Sequence, residues 1–140
     1  MSEERWNVTE PHAGDMIRVN AGTYYHYGIY IGGDEVVQFG TAGDAAGDPS
    51  SVRIMRSGID DFLCGKGFLE VRVLSREEKR KKRPDKEIVA YALSRVGEGG
   101  YDLLRNNCQH FANECVFAEK GRTRMDAIRE EIRNKLKKRQ

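Results

Sequence analysis

Residues 24–39 limit what this chain can fold into more than any other stretch. Residues 24–31 read Tyr-Tyr-His-Tyr-Gly-Ile-Tyr-Ile, a run of aromatic and β-branched side chains that suits a pleated, half-buried surface. Gly32-Gly33-Asp34 interrupts the run, and residues 35–39, Glu-Val-Val-Gln-Phe, resume it. Two such runs around a glycine-rich turn predict an antiparallel hairpin. Its register decides which side chains meet. A three-residue loop of Gly32, Gly33 and Asp34 pairs position 31 with 35 and position 28 with 38. His26, Gly28 and Gln38 then share one face, with Gln38 diagonal to His26. A two-residue loop would turn Gln38 to the opposite face.

Further strands are expected at residues 15–19, 52–55 and 68–73, the last alternating clearly between apolar and polar. Residues 58–63 read as a single helical turn. Residues 76–83 read as a charged connector, because Lys79 to Arg83 are five successive cations; a solvated linker explains such a run better than nucleic-acid binding, which would want interleaved aromatics. Pro84 opens a helix with Ile88, Tyr91, Ala92 and Val96 as its apolar stripe, ended by Gly97. Residues 97–102 loop into another helix. A last helix, from about 123 to 138, spaces Met125, Ile128, Ile132 and Leu136 along one narrow stripe. Strands followed by helices make an α+β domain with an antiparallel sheet. The expected organisation is an irregular lead over residues 1–12, one domain over 13–119, and a basic amphipathic helix within 120–140.

Composition excludes several function classes. No run of about 18 apolar residues exists, so no segment is expected to span a membrane. The first residues, MSEERWNVTEPHAGD, hold no apolar core of a signal peptide. Three cysteines, an odd number, fit a reduced, cytoplasmic setting better than a disulfide scaffold. No CxxC pair is present and the histidines complete no established ligand spacing, so neither zinc nor another cofactor is expected. The net charge of +2 conceals an asymmetry: residues 120–140 carry nine Lys or Arg against three acidic residues. The tail is basic and the body slightly acidic. The loop at 40–50, built of small residues, is placed to rim a cleft beside the hairpin, though a solvated surface loop explains it equally well.

Asn106-Asn107-Cys108-Gln109-His110-Phe111 carries the chemistry. Either asparagine can cap a helix, since a short amide oxygen accepts from the free N–H groups of the first turn. Phe111, Ala112 and Cys115 follow Cys108 at helical spacing, so one apolar face runs down from the thiol. Free N–H groups and the helix dipole favour a thiolate at Cys108. An activated Cys108 is therefore expected to outpace Cys64 and Cys115 in alkylation. A thiol with an upstream histidine supports acyl transfer: imidazole withdraws the proton, the thiolate attacks an acyl carbon, and a thioester splits one hard step into two. His26 is the expected base and Gln38 the group that orients it. The backbone N–H of Cys108 and the hydroxyl of Tyr24 are the oxyanion candidates. His110 is a rival base, but positions i and i+2 on a helix do not face each other, so it is read as structural.

Residues 14–19 (Gly-Asp-Met-Ile-Arg-Val), the His26 strand, Val36-Val37-Gln38-Phe39 and Asn107-Cys108-Gln109-His110-Phe111 together resemble the lecithin retinol acyltransferase-like, or NC-domain, family of permuted NlpC-type, papain-like thiol enzymes. The similarity runs from about residue 13 to about 119. It implies a thiol acyltransferase or acyl-ester hydrolase, with Cys108 as nucleophile, His26 as base and a lipid or other acyl ester as substrate. Many members hold a second histidine where this chain has Gln38. Vertebrate phospholipid-acting members carry a membrane-spanning C-terminal helix; here the basic helix at 122–138 could serve instead as a surface anchor to anionic lipid, though a helix packed on the domain with a solvated cationic face explains it equally well. A cysteine amidase or peptidase using the same pair, and a catalytically silent binding module, are the competing expectations.

Overall fold

The computed structural model describes residues 4–40, 49–101, 107–118 and 124–138. Six antiparallel strands form one sheet: β1 (Arg5–Asn7), β2 (Met16–Asn20), β3 (Tyr25–Gly32), β4 (Glu35–Gly40), β5 (Arg53–Gly58) and β6 (Glu70–Val73), in the spatial order β1-β6-β2-β3-β4-β5. The helices are α1 (Ile59–Leu63), α2 (Arg76–Lys81), α3 (Asp85–Ser94), α4 (Cys108–Phe117) and α5 (Arg124–Lys138).

Period-two alternation sends neighbouring residues of the central strands to opposite faces, and both faces are buried. Met16, Tyr27, Ile29, Val37, Phe39 and Ile54 pack against α3 and α4 on one face. Ile17, Val19, Tyr30, Val36 and Val71 pack around Phe62 of α1 on the other. This double burial explains why residues 28–31 and 36–39 read as near-continuous apolar runs.

The hairpin differs from expectation in a useful way. Its turn has two residues, Gly33 and Asp34, both at φ +59, the left-handed pair that matches the twist of a tight hairpin. On its own such a turn would reverse the faces. A bulge between Tyr30 and Gly32 inserts one residue and restores the pairing of Gly28 with Gln38. Gly32 at φ +92 accommodates it.

Two segments correct the sequence reading. The supposed irregular lead supplies β1, paired with β6 through Arg5, Trp6 and Asn7. Its Trp6 ring lies 4.1 Å from the Arg18 guanidinium, and the Tyr25 ring lies 3.8 Å from the same group. Stacking of this kind contributes about 0.5–1 kcal/mol per contact and pins a strand too short to hold itself. The supposed connector forms α2, because Ser75 and Glu78 make a reciprocal capping box. The loop expected to rim a cleft lies largely outside the described residues, which resume with a 3₁₀ turn at Pro49–Ser51. Of the α5 stripe, Ile132 and Leu136 are 54% and 58% exposed; the side chains of Met125 and Ile128 lie outside the description.

Candidate active site

Cys108 is the first residue of α4, and Asn107 is its cap; Asn106 lies outside the described residues. The Asn107 side chain accepts from the His110 N–H at 2.9 Å, while His110 Nδ1 accepts from the Asn107 N–H at 3.2 Å. A histidine therefore fills the position that glutamate or glutamine takes in the usual capping box. His110 is 3% exposed, and its Nδ1 lone pair is committed to the backbone.

Cys108 is 6% exposed and belongs to the apolar cluster beneath α3 and α4. Backbone N–H groups of Tyr27, of Cys108 itself and of Gln109 face the sulfur and favour its charged form. Burial acts more strongly and pushes the thiol above its ordinary value. The expectation of a resting thiolate is thus corrected: at this helix start, desolvation outweighs the dipole. Cys115 is pushed up to about 12 by the same cause. Cys64 is exposed, so alkylation in the resting state is expected there before Cys108.

The Tyr27 N–H shows where the thiol sits. Tyr30 donates its N–H to Asp15 O, beside β2. Alternation along β3 directs the Tyr27 N–H the opposite way, toward β4. Pairing of β3 with β4 stops at Gly28 and Gln38, while β4 continues along β5 to Gly40 and Arg53. The helix start approaches the sheet where β3 parts from β4.

His26 and Gln38 lie on the other face. His26 Nε2 and Gln38 Oε1 are 2.7 Å apart. An amide oxygen only accepts, so Nε2 carries the proton and the Nδ1 lone pair is left available. Burial lowers the imidazole below its ordinary value, and the Gln38 contact opposes this more weakly. The Phe62 ring lies 5.3 Å from the imidazole. Gly28 makes that approach possible: a Cβ there would stand 2.8 Å from Phe62 Cε1 and 3.0 Å from Val36 Cγ1.

A cleft of about 880 Å³ opens on this face, with Tyr24, His26, Gln38, Ser57, Phe62 and Cys64 among its lining. Tyr24, 61% exposed, stands at its edge. The structure therefore brings together Tyr24, His26 and Gln38. Cys108 does not line the cleft, and among the described residues no hydrogen bond joins its thiol to His26.

Two residues escaped the sequence reading. Ser57 Oγ accepts from Gln38 Nε2 at 2.6 Å. Tyr101 packs edge-on against Phe39 at 5.2 Å between ring centroids. Its phenol is pushed up to about 12, by burial first and then by the neighbouring Cys108 and Tyr24 groups. A protonated phenol close to both the thiol and the cleft is a hydrogen-bond donor. Nothing in periodicity marks a tyrosine in a loop; its position seven residues before Cys108 was the only signal. Among the described residues, no group of three or more His, Cys, Asp or Glu could hold a metal ion.

The lecithin retinol acyltransferase family model matches residues 9–121. Phospholipase A and acyltransferase 3 of Homo sapiens is 30% identical over 134 residues, spanning 89% of this chain and 80% of that protein. Phospholipase A and acyltransferase 2 of Homo sapiens is 29% identical over 127 residues, covering 84% and 76%. Lecithin retinol acyltransferase of Rattus norvegicus is 27% identical over 124 residues, covering 74% of this chain and 53% of its own length.

Proposed function

We propose that this chain, which belongs to the lecithin retinol acyltransferase family, is a cysteine-dependent lipid acyltransferase or acyl-ester hydrolase. The relatives named for phospholipase A and acyltransferase activity support the substrate class. The observation that carries the mechanism is the 2.7 Å contact between His26 Nε2 and Gln38 Oε1, which leaves Nδ1 as the basic nitrogen. The chain order, histidine strand before cysteine helix, supports the permuted papain-like arrangement.

The resting pair is a neutral thiol and a neutral imidazole, since burial raises one and lowers the other. Nδ1 takes the thiol proton as sulfur attacks the acyl carbonyl carbon. The N–H of Cys108 and the Tyr101 phenol are the donors best placed for the developing oxyanion, with Tyr24 at the cleft edge as a third. Collapse breaks the acyl–oxygen bond, and the imidazolium returns the proton to the departing alkoxide. The thioester is then resolved by water or by an acceptor hydroxyl or amine, deprotonated by the same imidazole. Catalytic hydrogen bonds commonly tighten only when substrate is bound, so closure of the Cys108–His26 pair belongs to the substrate complex.

For partners, we propose peripheral contact of α5 with an anionic membrane surface. A basic helix whose Ile132 and Leu136 are exposed suits an interface where apolar side chains enter and cations face headgroups. Among the described residues no helix is long and apolar enough to cross a membrane.

Intact mass spectrometry after incubation with a panel of acyl esters and amides tests the reading. An acyl adduct that forms from esters and is absent in Cys108→Ala supports it. Adducts from amides alone would establish the amidase, and the absence of any adduct or turnover would contradict an acyl-enzyme.

A further inference from the structure

We propose that Ser57 is a positioning residue that sets the orientation of the Gln38 amide and, through it, the tautomer of His26. The inference rests on the acyl-transfer reading only for its effect on rate; the effect on the tautomer stands independently.

A side-chain amide is nearly symmetric in shape and can present either its oxygen or its nitrogen to a neighbour. The two orientations have opposite consequences here. With Oε1 toward His26, the imidazole must donate from Nε2, and Nδ1 keeps its lone pair. With Nε2 toward His26, the imidazole must accept at its own Nε2 and carry its proton on Nδ1, where it cannot take one from a thiol. An imidazole at position 38 would not pose this problem in the same form. The glutamine in this chain creates the need for a lock.

Ser57 meets that need. It sits on β5, diagonal to Gln38, whose direct partner across the ladder is Met55. Its Oγ accepts from Gln38 Nε2 at 2.6 Å, while Oε1 stands 2.7 Å from His26 Nε2. Gln38 is 6% exposed, so an amide N–H₂ that lost this acceptor would have little water to replace it, and leaving it unpaired is unfavourable. Ser57 itself is only half-buried, so its hydroxyl proton can point to solvent while the oxygen accepts. Donation thus runs in one direction, from the half-buried His26 imidazole through the buried Gln38 amide to the half-buried Ser57 hydroxyl on an edge strand.

The test has two readouts. In ¹⁵N NMR of the full chain, His26 is expected as the Nε2–H tautomer. Ser57→Ala should move a measurable fraction to Nδ1–H, and Ser57→Thr, which keeps the hydroxyl, should restore the wild-type signal. In turnover of an acyl ester, Ser57→Ala should lower kcat by about tenfold, the equivalent of one net hydrogen bond, with KM little changed. The same substitution in a Gln38→Ala background should add no further loss, because Ser57 then has nothing to orient. An unchanged tautomer in Ser57→Ala, or an equal loss in both backgrounds, would overturn the proposal. If the wild-type protein turns over no acyl ester, the functional reading fails while the tautomer result still decides the role of Ser57.

Discussion

The two faces of the central sheet treat their reactive groups in opposite ways. On the helix side, the Cys108 thiol is packed among Phe111, Ala112 and Tyr27 in an apolar cluster. On the cleft side, the His26 imidazole is tied to Gln38 and Ser57 in a polar chain. The same force, desolvation, raises the thiol and lowers the imidazole. Neither group is charged at rest. What the contrast teaches is that the sheet holds a thiol and an imidazole without forming an ion pair, and the proposed chemistry, with the first as nucleophile and the second as base, waits on the gap where β3 leaves β4.

The largest expected effects come from removing either side. Cys108→Ser should reduce turnover by about 10⁴-fold or more, as loss of a nucleophile does elsewhere, and His26→Ala by about 10²–10⁴-fold. Steady-state kinetics on a soluble acyl ester, with melting temperatures as a control for folding, checks both. Comparable activity in either variant would break the assignment of roles to the two faces.

Gln38 sharpens the comparison. Gln38→Ala should cost less rate than either of those changes, since binding and the oxyanion donors remain, and Gln38→His should retain activity as judged by kcat/KM. An inactive Gln38→His with an unchanged melting temperature would show that the polar chain requires the amide itself.

His110 probes the helix side apart from the proposed chemistry. Its Nδ1 closes the capping box of α4, so His110→Asn should lower stability by about 1 kcal/mol while most activity survives. Thermal unfolding beside an activity assay separates the two. Loss of activity with no change in melting temperature would return His110 to the list of candidate bases.

The smallest effect is expected at the periphery. Deleting residues 122–140 should weaken binding to anionic vesicles in a salt-dependent way and leave hydrolysis of a soluble ester largely intact. Vesicle co-sedimentation at low salt checks this, and absence of binding by the full-length protein would remove the proposed role of α5.

Much of this architecture was legible beforehand because it rests on local chemistry. Aromatic and β-branched runs located β3 and β4, and asparagine before Cys108 located the start of α4. Gln38 came out on the His26 face for a reason the sequence did not display: a two-residue turn and a bulge cancel, giving the parity expected of a three-residue loop. The capping pattern Ser75-x-x-Glu78 was present in the sequence, but the neighbouring cations masked α2. β1 was not legible, because three residues carry no periodicity and Trp6 is held by Arg18 from a distant strand. The direction of the Cys108 shift was not legible either. Helix position is local and visible, whereas the burial that overrides it depends on Tyr27, Phe111 and the rest of a long-range cluster.

The most direct test of a neutral resting pair is the pH dependence of Cys108 alkylation, followed in a Cys64→Ser variant so that the exposed thiol does not compete. The thiol is held above its ordinary value of 9.0. The logarithm of the rate should therefore climb steadily with pH through about 8, with no plateau near neutrality, because only the thiolate reacts. A plateau from about pH 5 to 8, lost in His26→Ala, would reveal a preformed thiolate–imidazolium pair and contradict the account.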